Sequence, residues 1–447
     1  MDSLDYEALP NVIDPKEAQS LLGDIRRLGI MEPRDFVISL ERSQGMWLAT
    51  SRGPLFDWAG YYGAKLIGHN HPGYSDANYL RRLLVAANNK VANPDFVTEY
   101  LVDYYRFLHR IAPKCMANPD LRVYTVNSGA EAVENALKYC INRFYHTRKP
   151  RPGTPQGGPI FMMFDGGFHG RTVYALNMTD MPHNRTATRD YHGVVRGQIK
   201  SLFPAFDSDA DDMSNTHMVD VALHLAREYL TFNYEQLAGI IVEPMQGAGG
   251  HRVAMKEFFR GLSLLSAEFD VPLIFDEVQT AGGQTGTIWM CDQFDLPHPP
   301  ECVVSAKKTG CGVVYMRTLI RDAGVLDSTW SGHLVDMVRV PHEFKIIEHE
   351  KLIEAVPEKT TQLHEGLRQL QGKHMDVISN VRGAGLYQGF TMPSKEARDT
   401  FIARALNEQN LLVLSAGVDS VRVRPSLSVT SDDIDQLLKK LGSLLGT

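Results

Sequence analysis

Residues 271–283 read VPLIFDEVQTAGG, and this stretch decides the fold class. An apolar run ends at Phe275, Asp276 follows at once, and two glycines close the turn. A short, continuously apolar run that ends in a turn is typical of a strand buried on both faces, as in a parallel sheet. We therefore predict a buried strand that carries a carboxylate at its C-terminal end.

The same pattern recurs along the middle of the chain. Further apolar runs that end in turns lie at residues 121–129, 159–170, 237–250 and 301–310. Segments with helical spacing of apolar residues lie between them, notably at 130–147 and 257–270. Strands that alternate with helices indicate an α/β fold with a mostly parallel sheet. Ligands of such sheets bind at the carboxyl ends of the strands, so the polar residues there are the candidates for a site.

The pattern changes near residue 335. Residues 342–371 are predicted to form one long charged helix, and residues 381–392 and 420–430 are predicted strands of a smaller α+β unit. A last helix is expected to begin at Ser431 with an acidic cap. The predicted organisation is an N-terminal segment that packs with the small domain (1–60), a large α/β domain (61–335) and a small α+β domain (336–447).

The composition of the 447 residues is that of an ordinary globular chain, with 43% hydrophobic and 22% charged residues. A formal net charge of −7 without a long basic block argues against a nucleic-acid or anionic membrane partner. No apolar run could span a bilayer, and the acidic N-terminus lacks the apolar core of a secretory signal. The five cysteines are never spaced as CxxC, which argues against a disulfide framework or a metal site. The cytoplasm is the expected compartment.

Small residues stand at the first of the predicted strand ends, in the sequence NSGAEA. Ser128, Gly129 and Ala130 let backbone N–H groups approach an anion, and the following helix adds a partial positive charge. This turn is a candidate phosphate site, although a tight turn with an ordinary helix cap is the commoner meaning of such a sequence.

Aromatic and polar residues mark two more strand ends. In the sequence GGFHGRT, Phe168 comes directly before His169 and could stack on a flat ring. Arg171 could bind a carboxylate through its planar guanidinium group. A surface loop with one structural phenylalanine is the alternative. Asp276 requires a partner if it is buried, and a protonated ring nitrogen is a suitable one. Gln279 could donate to a ring oxygen, whereas the plain alternative is an aspartate that caps its own turn.

Two adjacent lysines stand at the last strand end, in VVSAKKTG. A lysine at a buried strand end can lose its proton and form a Schiff base with an aldehyde, whereas two solvated lysines are the alternative. A phosphate site, a stacking aromatic, an acid and a reactive lysine thus follow one another on successive strand ends. Together they provide what pyridoxal 5'-phosphate requires of a protein, and the joint pattern is more specific than any of its parts.

The sequence resembles the class III aminotransferases, which are fold-type I pyridoxal-phosphate enzymes with a large mostly parallel-sheet domain and a smaller α+β domain. The resemblance runs from about residue 45 to residue 427, and its most specific stretches are FHGRT, IIVEP and FDEVQTAGGQTG followed by SAKK. Within the class the sequence is most similar to the branch of L-lysine 6-aminotransferases and 4-aminobutyrate aminotransferases.

The resemblance assigns a role to each candidate residue. Lys307, after Ala306, is the implied Schiff-base lysine, and Lys308 is expected to point away. The implied cofactor-binding residues are Ser128, Gly129, Ala130, Phe168, His169, Glu243, Asp276, Gln279 and Lys307, with Thr329 reaching the phosphate from the other subunit of a homodimer. An amino donor first leaves its amine on the cofactor, and a 2-oxo acid, 2-oxoglutarate above all, then removes it in a ping-pong cycle.

The substrate residues depart from the family pattern at two positions. Arg171 and Arg424 are expected to bind substrate carboxylates, but Ala248 stands where many relatives have a glutamate that masks the second arginine. Lys65 stands where relatives have small or apolar residues near the entrance. Both changes make the pocket more positive, which favours a donor with a second polar group, such as L-lysine presented by its ε-amine, or another ω-amino acid.

Two other functions are compatible with the same residues. An aminomutase or racemase of this fold would return the amino group to one substrate, so a donor alone would not convert the cofactor to its pyridoxamine form. A non-catalytic dimeric relative would have lost one of the cofactor-contact residues, but every position named above holds a competent side chain.

Overall fold

The computed structural model describes residues 13–147, 158–181, 197–322 and 324–446, so the first twelve residues of the predicted N-terminal segment lie outside the described ranges. Its central feature is a seven-stranded sheet. In spatial order the strands are β4 (Arg122–Val126), β12 (Gly312–Met316), β11 (Cys302–Ser305), β10 (Leu273–Asp276), β7 (Leu237–Val242), β5 (Ile160–Phe164) and β6 (Ile199–Ser201). The neighbours from β11 to β6 are parallel, and β12 is antiparallel to both of its neighbours. The predicted mostly parallel sheet is confirmed.

Helices pack on both faces of this sheet. The helices before and within the large sheet are α1 (Pro15–Leu28), α2 (Gly60–Gly63), α3 (Ala77–Ala87), α4 (Glu99–Arg110), α5 (Gly129–Thr147), α6 (Val173–Asn177), α7 (Asp212–Asn233) and α8 (Lys256–Glu268). Successive residues of β10 point to opposite faces. Ile274 packs in the core that α5 covers, whereas Leu273 and Phe275 pack in the larger core that includes α8. Burial on both faces explains why the strand is apolar throughout.

Smaller sheets connect the two ends of the chain. One contains β1 (Ile38–Gln44), β2 (Trp47–Thr50), β3 (Gly53–Asp57) and β15 (Leu411–Leu412), and another contains β13 (Ser379–Ala384), β14 (Tyr387–Thr391), β17 (Ser420–Val423) and β16 (Leu414–Ala416). A two-stranded hairpin is formed by β8 (Met245–Gln246) and β9 (Arg252–Val253). Because β15 pairs with β3, the N-terminal segment packs against C-terminal residues. The division into three regions with boundaries at 60 and 335 stays a prediction.

The C-terminal helices differ from the prediction in two details. They are α9 (Leu334–His349), α10 (Val356–Lys373), α11 (Lys395–Gln409) and α12 (Ser431–Leu445). The single helix predicted for residues 342–371 is wrong, because the chain breaks between α9 and α10, where Lys351 has φ +54°. The cap of α12 is Thr430 rather than Ser431, and it exchanges hydrogen bonds with Asp433. Within the described ranges, no helix is both long and apolar enough to cross a membrane.

Candidate active site

A cavity of about 560 Å³ lies where the carboxyl ends of β10 and β11 meet the C-terminal residues. Among the residues predicted from the sequence, those that line it are Phe168, Arg171, Glu243, Ala248, Asp276, Gln279 and Lys307. Residues far apart in the sequence therefore meet at the edge of the sheet where ligands bind in α/β folds. The lysine and the carboxylate share this cavity with several cationic side chains.

Lys307 lies two residues after the end of β11 and points its amine into the cavity. Its Nζ donates a hydrogen bond to Oε1 of Gln279 at 2.6 Å. Burial, with the positive charges of Arg424 and Arg422 adding to it, lowers the pKa of Lys307 to about 7. Because the pKa is depressed, the neutral and nucleophilic amine prevails above pH 7, whereas an exposed lysine would still be charged there.

Asp276 is the last residue of β10 and is 3% exposed. Its Oδ2 lies 2.8 Å from Nδ1 of His169, and its Oδ1 accepts a hydrogen bond from the backbone of Val278 at 3.0 Å. His169 thus contacts Asp276 and holds its carboxylate in one orientation. A fixed, buried carboxylate beside a cavity is placed to pair with a cationic group of a ligand.

The GGFHGRT loop forms one wall of the cavity. The backbone N–H of Phe168 donates to Glu243 at 2.7 Å, so the loop is tied to the end of β7. Burial, with the charge of Asp276 adding to it, raises the pKa of Glu243 to about 7. Phe168 is half-buried and lines the same cavity as Val278, so two apolar groups are available there to contact a flat ring.

The predicted phosphate turn lies at the start of α5, against the same strand ends. A Cβ atom on Gly129 would lie 2.9 Å from Val278 and 3.4 Å from the Cβ atom of Ala306. Ser128 caps the helix by accepting the N–H of Glu131 at 3.3 Å, and Ala130 packs against Gly170 of the aromatic loop. The N-terminus of a 19-residue helix therefore approaches the cavity, which is the arrangement that binds anions.

The sequence prediction missed Arg422, which lines the cavity itself. Arg422 is in β17 and donates to the carbonyl oxygen of Gly247, whereas Arg424 is fully buried beside it, with its guanidinium 5.2 Å from the ring of Tyr387. None of the three guanidinium nitrogens of Arg424 has a hydrogen-bond partner among the described residues. The period-2 spacing in RVRP was the available signal, because residues two apart in a strand share a face.

Lys65 and Thr329 are among the predicted residues that do not line the cavity of the single chain. Lys65 is half-buried, and the charged groups that act on it are Glu343, Arg339 and Asp57. Thr329 is exposed on the surface. The roles proposed for Lys65 in substrate binding and for Thr329 in phosphate binding remain predictions.

Other cationic and aromatic groups that line the cavity carried no motif signal in the sequence. They are Tyr62, Lys395 and Arg398. Tyr62 lies in α2, a single turn in which Tyr61 and Tyr62 both have left-handed backbone angles. The positions of these three lining residues depend on tertiary contacts, which a local sequence pattern does not encode.

Comparisons with known proteins agree with this geometry. Residues 30–445 match the family model described as aminotransferase class-III. The chain is 31% identical to the L-lysine-epsilon aminotransferase of Streptomyces clavuligerus over 93% of this chain and 91% of that protein. It is 33% identical to the L-lysine-epsilon aminotransferase of Mycobacterium tuberculosis over 96% of each chain.

A solved structure shows the same fold. The lysine aminotransferase from M. tuberculosis in the internal aldimine form superimposes with a TM-score of 0.88 and 31% sequence identity. The match covers 97% of this chain and 99% of the other. The family match over nearly the whole chain confirms the fold class that the sequence predicted, and the chain is a member of the class III aminotransferases, the pyridoxal-phosphate-dependent enzymes that transfer amino groups from an amino donor to an oxo acid.

Proposed function

We propose that the chain transfers the terminal amino group of L-lysine, or of another ω-amino acid, to 2-oxoglutarate by a ping-pong mechanism. The observation that carries this proposal is the shared cavity, which Lys307 and Asp276 line together with Arg171 and Arg422. Lys307 and Asp276 are suited to chemistry on an amine. Arg171 and Arg422 are suited to binding the carboxylates of a substrate, away from the reacting amine. The names of the similar enzymes support L-lysine as the donor.

The residues present fit pyridoxal 5'-phosphate. Lys307 would carry its aldehyde carbon, Asp276 would pair with its ring nitrogen, and Phe168 would stack on its ring. The phosphate would lie at the N-terminus of α5, at Ser128–Ala130. The fit is supported by the close approach of Gly129 to Val278 and Ala306, since a larger side chain at position 129 would collide with those neighbours.

The cofactor, when bound, supplies an electron sink for the carbon from which the proton is removed. The protein residues supply everything else. The amine of Lys307, which can be neutral near pH 7, takes the proton from the substrate carbon that bears the amino group. The same amine holds this proton on Nζ and later gives it up, so it acts first as a general base and then as a general acid. Asp276 holds a proton on its cationic partner because its own carboxylate is buried and oriented by His169. Gln279 holds the lysine amine in place.

The same proposal includes the assembly and its location. Thr329 is exposed in the single chain, which suits a threonine that completes the phosphate site of a second subunit in a homodimer. The proposed compartment is the cytoplasm, and the proposed ligands are an amino donor and a 2-oxo acid.

A panel of amino donors tests the proposed substrate. With 2-oxoglutarate as acceptor, we expect kcat/KM for L-lysine to exceed that for 4-aminobutyrate by about 10-fold or more, because the α-amino group that 4-aminobutyrate lacks can meet a polar, hydrogen-bond-accepting side chain of the cavity. Product analysis should show that the ε-amine was removed. Preference for 4-aminobutyrate, or loss of the α-amine, would contradict the proposal.

A carboxylate at position 248 should change this preference. Ala248 lines the cavity and follows Gly247, whose carbonyl oxygen accepts the hydrogen bond from Arg422. In Ala248→Glu the new carboxylate can pair with an arginine that a simple ω-amine leaves unpaired. We expect kcat/KM for 4-aminobutyrate relative to L-lysine to rise about 5-fold, which corresponds to about 1 kcal/mol.

The matched control places the same charge on a different element of the cavity lining. Ser415 lies in β16, lines the cavity and is exposed, so Ser415→Glu adds one carboxylate from another strand than the segment that carries position 248. Its donor preference should stay within about 2-fold of the wild type, the range of a solvent-exposed charge. Equal changes in both variants would show that net charge, and not pairing at position 248, sets the preference.

A further inference from the structure

Lys308, the second lysine of the pair, is buried rather than solvated. Its residue is 1% exposed, and its stem packs so closely on Gly282 that a Cβ atom there would lie 2.9 Å from Cδ of Lys308. A buried lysine requires partners for its amine, because an unpaired polar group in the interior is costly. The sequence predicts that Lys308 points away from Lys307, and its amine lies in the protein interior rather than in solvent.

Two oxygen atoms receive the amine of Lys308. Its Nζ donates to the backbone carbonyl of Gln279 at 2.5 Å and to the hydroxyl of Tyr387 at 3.0 Å. The Tyr387 hydroxyl donates in turn to the carbonyl of Gly63 at 3.3 Å, so its oxygen is free to accept. Both acceptors are neutral, and a neutral amine has two N–H donors, one for each of them.

The charge environment agrees with a neutral amine. Burial lowers the pKa of Lys308 well below its ordinary value, and the nearby charges of Lys307 and Arg424 act in the same direction. A neutral Lys308 makes both hydrogen bonds without burying a further charge beside those two cations. This explains how three basic side chains can lie close together in the interior.

Gln279 connects Lys308 to the reactive lysine. Its main chain accepts from Lys308, its Oε1 accepts from Lys307 at 2.6 Å, and its Nε2 donates to the carbonyl of Tyr62 at 3.1 Å. The two lysines therefore hold the same glutamine, one by its backbone and one by its side chain. Displacement of the backbone would move the side-chain oxygen that receives the Lys307 amine.

We infer that Lys308 is a positioning residue, which fixes Gln279 and through it the amine of Lys307. This inference rests on the role of Lys307 in the proposed function. A merely structural role for Lys308 would consist of filling space, and its loss would change stability without changing the behaviour of Lys307. The two roles differ in what they predict for the pH at which Lys307 becomes reactive.

The test is Lys308→Met, which keeps most of the volume and removes both donors. In this variant Gln279 is released, so the Lys307 amine can move toward solvent and its pKa should rise from about 7 toward the ordinary value. An amine-acylating probe on the cofactor-free protein, read by mass spectrometry of the peptide that contains Lys307, gives the labelling midpoint. We expect an upward shift of about one pH unit, and a kcat about 10- to 100-fold lower with little change in KM.

Two further variants keep the result interpretable. Lys359→Met removes a half-buried lysine that donates to the carbonyl of Leu427, outside the cavity lining, and should leave the labelling midpoint and kcat unchanged. Tyr387→Phe removes one acceptor of Lys308 and should shift the midpoint in the same direction by less, so it serves if Lys308→Met does not fold.

The outcomes separate this inference from the proposed function. An unchanged midpoint and kcat in folded Lys308→Met, or in Tyr387→Phe where Lys308→Met does not fold, would overturn the positioning role. Lower stability with an unchanged midpoint would likewise leave Lys308 only a structural role. In contrast, a wild-type Lys307 that carries no cofactor and titrates like an exposed lysine would overturn the proposed function itself.

Discussion

Replacement of Lys307 by alanine is expected to lower kcat for transamination on the order of 10⁴-fold or more and to remove the visible absorbance of the lysine-bound cofactor. The reason is that one amine performs two tasks. Its Nζ donates a hydrogen bond to Oε1 of Gln279, and its pKa of about 7 suits both attack on an aldehyde and proton transfer near neutral pH. Alanine provides neither function. The measurements are steady-state kinetics and the absorption spectrum of the purified protein.

The control for this variant is Lys439→Ala, which removes an exposed lysine of α12 and should leave both readouts unchanged. The pH dependence gives a second check. In the cofactor-free wild type, Lys307 should become reactive with a midpoint near pH 7, and reactivity should be lost as pH falls below that value because the amine is then protonated. If Lys307→Ala retained turnover and absorbance while Lys308→Ala lost both, the assignment of the two lysines would be reversed.

The sequence predicted the strand ends better than it predicted the cavity. Asp276 and Lys307 were predictable because Asp276 ends one buried strand and Lys307 comes two residues after the next, and parallel strands bring their carboxyl ends to one edge. The break within residues 342–371 was not predictable. It lies before Pro357 and depends on the left-handed backbone of Lys351, which helical periodicity does not reveal.

The residues of the site that the sequence did not predict were missed for a common physical reason. Arg422, which lines the cavity, and Tyr387, which accepts from Lys308, come from the small sheet of the C-terminal region, and their positions depend on how that sheet packs against the large one. The burial of Lys308 was not predictable for a related reason. A lysine pair suggests solvated charge, and only the tertiary structure shows that neutral oxygens of Gln279 and Tyr387 receive a buried amine.

Asp276→Asn should bind the cofactor and transaminate poorly. Asparagine has the shape of aspartate, so the contact with the backbone of Val278 can persist, but the negative charge that faces the cavity is lost. Without that charge the ring nitrogen of the cofactor is not held in its protonated form, and the electron sink is weakened. We expect kcat to fall about 10²- to 10³-fold, which corresponds to about 3–4 kcal/mol in the barrier, with the visible absorbance retained.

The protein contains a second buried Asp–His pair that serves as the matched control. Oδ2 of Asp57 lies 3.1 Å from Nε2 of His69, and Asp57 also accepts backbone N–H groups from Ala59 and Gly60. Asp57→Asn therefore breaks a comparable pair outside the cavity lining. It should lower the free energy of unfolding by about 1–3 kcal/mol, because buried hydrogen bonds are disturbed, and leave kcat within about 3-fold. If both variants lost kcat equally, the effect at position 276 would reflect stability. Near-normal turnover in Asp276→Asn would remove its carboxylate from the mechanism, because the charge that keeps the ring nitrogen protonated would then be dispensable.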